Sequence, residues 1–156
     1  MIREILFISS LLYSCFYSQV LYADWPRHRG DAALNGYSKA QVGNSLELKW
    51  SYDTGDYLKS SVVVENGVAY VGSEVGVLHA ISLETGKKKW TYKTGMAIEA
   101  PPLLHNNRVI VGSTDSFLYS INQKTGKLQW KRRTCLQTRL CFFQFSENDN
   151  FLQICK

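Results

Sequence analysis

The sequence predicts an all-β protein made of antiparallel four-stranded sheets that repeat along the chain. Three observations predict it: an internal repeat of forty residues, turn signals at matching places in each copy, and no helical periodicity in the body. Laying residues 50–90 on residues 90–130 makes fourteen of forty-one positions identical, where average composition gives about two or three. The identities include Trp50/Trp90/Trp130, Tyr52/Tyr92, Thr54-Gly55/Thr94-Gly95, Asn66/Asn106 and Val71-Gly72-Ser73/Val111-Gly112-Ser113. They continue through Leu78/Leu118, Ile81/Ile121 and Thr85-Gly86-Lys87/Thr125-Gly126-Lys127.

Residues 1–23 have the layout of a secretory signal peptide. Arg3 precedes an apolar stretch from Ile5 to Phe16, and Ala23 stands before the polar Asp24. Ser9, Ser10, Ser14, Ser18 and Gln19 interrupt the run, so it lacks the ~20 apolar residues of a membrane span. Leu12-Tyr13-Ser14-Cys15 loosely resembles a bacterial lipobox, and lipidation of Cys15 is the one route to membrane association that the sequence offers. The expected location is exported, periplasmic or secreted.

Residues 24–49 form a lead-in segment expected to supply a first partial strand. The repeat unit follows over 50–133. Ser60–Val64 is a β-branched run closed by Glu65-Asn66-Gly67, and Asn-Gly supplies the positive-φ pair of a two-residue hairpin turn. Val68–Ser73 comes next, then a turn near Gly76, then Val77–Leu83. Thr85-Gly86-Lys87 makes the third turn, with Gly86 as its left-handed residue. Lys88–Lys93 places Trp90 and Tyr92 on one face at the period of two that a strand imposes. Four strands in forty residues describe an antiparallel meander, the form of a β-propeller blade. One blade cannot cover both of its apolar faces, so a large indole on the outermost strand is expected to wedge neighbouring sheets together, burying about 200 Å². About two blades, at most three, fit in the chain, whereas closed rings typically use four to eight. The predicted ring is therefore incomplete, to be completed by missing blades or by other chains.

Repeat register is lost near Thr134. The tail, 134–156, holds Cys135, Cys141 and Cys155, and is expected to be unrelated to the repeat, as after a truncation or frameshift. The intervals between those cysteines, five and thirteen residues, match no familiar zinc spacing. Residues 24–134 carry no cysteine, so an exported body must be held by its core and not by disulfides.

The net charge is +5, and it is uneven. Residues 24–130 carry 12 basic and 10 acidic side chains, and residues 131–156 carry 5 and 2. Much of the excess therefore sits in a short tail that includes Lys131-Arg132-Arg133, and the body lacks the basic face of a nucleic-acid binder. No nucleic-acid partner is predicted. His28, His79 and His105 are far apart without ligand spacing, and each reads as an ordinary strand or turn residue. No nucleophile elbow or phosphate loop is present.

Ala80-Ile81-Ser82-Leu83-Glu84-Thr85-Gly86-Lys87-Lys88-Lys89-Trp90 resembles the tryptophan-docking motif of the pyrroloquinoline-quinone (PQQ)-like β-propeller repeat family, Ala-x-Asp-x-x-Thr-Gly-Lys-x-x-Trp. The second copy, Ser120 to Trp130, departs with Ser120 for Ala and Asn122 for Asp, and the first has Ser82 at the Asp position. Asp24-Trp25-Pro26-Arg27-His28-Arg29-Gly30-Asp31 and Gly36-Tyr37-Ser38 resemble the opening sequence of such proteins. The resemblance implies that Trp50, Ala80, Thr85, Gly86, Trp90, Ser120, Thr125, Gly126 and Trp130 serve blade docking. It does not fix an activity. The family holds dehydrogenases that carry PQQ and calcium, and non-catalytic members such as an outer-membrane barrel-assembly lipoprotein. No catalytic Asp and no calcium-ligand set can be placed; Glu74, Glu99 and Asp115 lie near strand ends and read as solvated carboxylates. The expected function is an exported, non-enzymatic scaffold that binds unidentified protein partners and needs no cofactor. The alternative is the N-terminal part of a PQQ- and calcium-dependent quinoprotein dehydrogenase.

Overall fold

A computed structural model of the chain describes residues 24–30, 33, 35–38 and 45–134, and the backbone of two strands at 141–145 and 151–155. The predicted leader, Cys15 and Cys135 lie outside the described residues. The first sheet is β1 (Val63–Glu65), β2 (Val68–Gly72), β3 (Val77–Ser82) and β4 (Lys88–Lys93), antiparallel and in sequence order. The second is β5 (Leu103–His105), β6 (Arg108–Ser113), β7 (Phe117–Asn122) and β8 (Leu128–Arg133), in the same order. Each strand of the second sheet begins forty residues after its counterpart in the first. These are two blades of an all-β propeller fold. Among the described residues there is no helix, and so none long and apolar enough to cross a membrane.

The turns form where the backbone chemistry allows them. Asn66 and Gly67 both take positive φ, 51° and 72°, joining β1 to β2. The second copy makes the same turn with Asn106 and Asn107, at 47° and 58°, because asparagine tolerates the left-handed region better than other side chains do. Both copies shift register at one place, between Ala80 and Ile81 and between Ser120 and Ile121. A bulge there adds twist to the two outer strands just before the Thr-Gly-Lys corner.

Alternation within the strands sorts side chains between two faces. Val68, Tyr70, Leu78 and Ala80 of the first blade meet Leu104, Val109, Val111, Tyr119 and Ile121 of the second, with Val63 and Ile98 completing the cluster. Ala69, Val71 and Ile81 point the other way, under Trp50, Tyr52, Val64 and Leu83. The core is thus a wedge between sheets, with a smaller apolar layer beneath the segment before the first blade.

One strand boundary differs from expectation. The innermost strand starts at Val63, not Ser60, because buried Ser60, in the segment before the first blade, donates instead to the carbonyl of Ala100 in the connection between the blades, at 3.2 Å. Among the described residues, the lead-in segment supplies an isolated antiparallel bridge, Trp25 to Val64. Asp24 and Pro26 reinforce it, by accepting from the Asn66 and Leu104 N–H groups. The tail contains an antiparallel pair, β9 (Cys141–Phe145) and β10 (Phe151–Cys155), whose register sets Cys141 opposite Cys155.

Candidate functional site

The residues assigned to docking assemble into two copies of one socket. The Trp50 indole N–H donates to the Leu83 carbonyl at 2.8 Å, and the Trp90 indole N–H donates to the Gln123 carbonyl at 3.0 Å. Both partners lie thirty-three residues downstream. Gly86 and Gly126 form the socket floors. A Cβ on Gly86 would lie 2.6 Å from Trp50 Cγ, and one on Gly126 would lie 2.7 Å from Trp90 Cδ2. Each glycine also has φ of 68°, so two separate requirements select it.

The Thr-Gly-Lys corner is held by a polar side chain at the end of the preceding strand. Asn122 Oδ1 accepts from the Lys124 N–H at 3.0 Å, the Thr125 N–H at 2.9 Å and the Thr125 hydroxyl at 3.1 Å. Ser82, its counterpart, accepts only from the Thr85 N–H, at 3.4 Å. Thr85 and Thr125 in turn accept from the N–H groups of Lys87 and Lys127. Ala80 and Ser120 are fully buried opposite Trp90 and Trp130 in the strand register. Trp130 is half-buried, with the Arg132 guanidinium 5.7 Å from its ring centre.

The carboxylates occupy the other end of the sheets, where β2–β3 and β6–β7 turn. Asp56 accepts from the Val75 N–H at 2.7 Å, and that bond chiefly holds its carboxyl below the usual range. Asp115 accepts from the N–H groups of Gly95 and Phe117, both at 3.1 Å, and from the Tyr119 hydroxyl. Burial pushes the Asp115 carboxyl up, but these bonds outweigh it and the group stays below the ordinary value. The Lys131 ammonium sits 3.8 Å from the Phe117 ring centre and 4.9 Å from that of Tyr119, with Asp115 4.0 Å away. Glu74 and Glu99 are both paired with Lys59, at 2.6 and 3.3 Å. Among the described residues no three carboxylates, histidines or cysteines converge on one point.

His79 is the functional-type side chain that spacing alone passed over. It is 6% exposed, its Nδ1 lies 3.2 Å from the Tyr52 hydroxyl, and among the described residues its Nε2 has no hydrogen-bond partner. His105 lies in β5, and His28 in a turn.

Beside two repeat-related blades and two matching indole sockets, the comparisons with known proteins are decisive for the family. The family model described as outer membrane protein assembly factor BamB matches residues 40–141. The chain belongs to this family of PQQ-like propeller repeats. A search of curated proteins found no match. Among solved structures, the chain is similar to the quinohemoprotein alcohol dehydrogenase of Comamonas testosteroni, at 28% identity and a TM-score of 0.67, over 74% of this chain and 20% of that one. It is also similar to BamB from Moraxella catarrhalis, at 24% identity and a TM-score of 0.54, over 57% of this chain and 28% of that one. The second likeness, at that identity, speaks for the fold. The chain spans less than a third of the length of either protein.

Proposed function

We propose that this member of the propeller-repeat family is an exported, non-enzymatic scaffold that presents one end of its blades to protein partners. The observation that carries the reading is a set of exposed apolar side chains on loops that are bonded to one another at that end. Tyr57, Leu58, Val75 and Met96 are 81%, 46%, 52% and 56% exposed, and the segments that bear them are tied together. The Glu74 N–H donates to the Tyr57 carbonyl, and Thr94 Oγ1 hydrogen-bonds both the Gly76 and Met96 carbonyls. Apolar side chains grouped on fixed loops mark interaction surfaces more often than chance exposure does. The carboxylates of the same end are engaged in turns and ion pairs, which supports a binding role over a catalytic one. The leader-like residues 1–23 and the outer-membrane assembly description of the family support export.

The test is photo-crosslinking in cells that express the full chain. A photoreactive residue at position 57 or 96 is expected to give one discrete protein adduct in the exported fraction, and the same residue at position 87 or 127, at the opposite end, none. Adducts equally frequent at both ends overturn the reading. The second reading, part of a PQQ- and calcium-dependent dehydrogenase, is favoured by the 28% identity to the quinohemoprotein alcohol dehydrogenase over 74% of the chain. Dye reduction with alcohols, after PQQ and calcium are added to the purified chain, replaces the scaffold reading with that one.

A further inference from the structure

The face of the first blade that looks away from the second is lidded by residues 50–54, through Trp50 and Tyr52. The lid is held by the Trp50 indole bond to Leu83 and by the Tyr52 hydroxyl against His79. Tyr52 meets the imidazole edge-on, with ring centres 5.7 Å apart. In the second blade the position of His79 is taken by Tyr119, and that of Tyr52 by Tyr92, with ring centres 5.9 Å apart. A titratable ring under a lid is therefore not a need of the blade, since the repeat builds the same contact from two phenols.

We propose that His79 is an acid-operated latch: protonation of its ring releases residues 50–54 from the first blade and uncovers the apolar face of Ala69, Val71 and Ile81. A neutral imidazole has one N–H and one lone pair, and Tyr52 satisfies one ring nitrogen. The imidazolium has two N–H groups, and Nε2–H finds no acceptor among the described residues. A buried cation with an unmet donor is more costly than either fault alone. The charged groups that face the ring oppose each other. Burial chiefly lowers the pKa, Lys88 on β4 adds to it by disfavouring the cation, and Asp56, from the loop after the lid, opposes both. Asp56 is further committed to the Val75 N–H. The cation reaches water most readily by displacing Tyr52, and Trp50 leaves with it because the two side chains are on one short segment.

Lid closure requires the neutral ring, so it is complete above the free imidazole value of about 6.5. As pH falls below that value, the open form gains protons that the closed form does not, and the opening equilibrium rises by up to about tenfold per pH unit. Fluorine NMR of the full chain labelled with 5-fluorotryptophan tests this. Between pH 6.5 and 5.5 the released fraction read at the Trp50 resonance is expected to rise several-fold, with the Trp90 resonance unchanged. His79→Tyr, which installs the second blade's residue, and His79→Gln are each expected to abolish the response. A response of equal size at both indoles, or one that persists in both variants, overturns the latch. Should neither variant retain a native Trp90 resonance, the wild-type contrast between the two indoles decides alone.

Discussion

The first blade has two faces, each closed by a tryptophan, and they are built differently. Toward the second blade, Trp90 lies over Gly126 within a continuous wedge that includes Tyr70, 5.7 Å from it ring to ring. On the far side, Trp50 lies over Gly86 against a layer of only three buried apolar residues. The sockets match, bond for bond, but their surroundings do not. One indole joins two sheets, whereas the other pins a segment without strand structure onto one sheet. The difference shows that the motif provides geometry, and that the apolar area gathered around it sets the energy.

Truncating each indole is the most direct way to break the comparison. Trp90→Ala opens a cavity in the larger cluster and is expected to cost about 4 kcal/mol. Trp50→Ala, at a smaller layer whose lid can collapse, should cost about half as much. Urea denaturation of both variants checks the order, and equal losses would mean that the socket alone sets the energy. Next in size is Gly126→Ala, at about 3 kcal/mol, which combines a left-handed backbone with a Cβ driven into the Trp90 ring. Gly112→Ala is its internal control. A Cβ there meets nothing within 4 Å, so its melting temperature should stay close to wild type.

Those glycines also show what could be read from sequence. The period of forty, the indoles and the Thr-Gly-Lys corners were legible because identical residues recur wherever identical geometry recurs. Gly72 and Gly112 looked equivalent by the same logic, yet only Gly72 backs onto a neighbour, Ile98. The two turn-capping carboxylates were invisible to the repeat because they exchange positions. Asp56 reaches from the connecting loop to the turn at Val75, whereas Asp115 reaches from the turn back to the loop at Gly95. One bond type spans the same gap in opposite directions, and residue-by-residue alignment compares each acid with a neutral partner. His79 was equally hidden, since burial and not spacing makes it unusual.

A pH titration sharpens the contrast between the faces. Tyr70 lies in the wedge, where burial, helped by Glu65 and opposed by the bond to Gln123, pushes its phenol up to about 12. A raised folded value means that the fold prefers the neutral phenol. The wedge is then fully stabilised below pH 10, the ordinary tyrosine value, and loses that contribution as pH rises from 10 toward 12. The wild-type unfolding midpoint in urea should fall more steeply across this window than that of Tyr70→Phe. Parallel curves for the two proteins would place the alkaline sensitivity elsewhere.

The smallest expected effect separates the sockets from their corners. Asn122 makes three bonds to its turn and Ser82 makes one long one, although both stand where the family pattern has aspartate. A short acceptor on a carbonyl-like group reaches two successive N–H groups of a following turn, and a single hydroxyl does not. Ser82→Asn should therefore stabilise the first blade by about 0.5 kcal/mol, and Asn122→Ser should destabilise the second by about 1 kcal/mol. Because the corner carries the carbonyl that receives the indole, exchange of the corner N–H groups at residues 84–87 should slow in Ser82→Asn. Slower exchange there with no change in the global unfolding midpoint would show that the corner opens independently of the socket it supports.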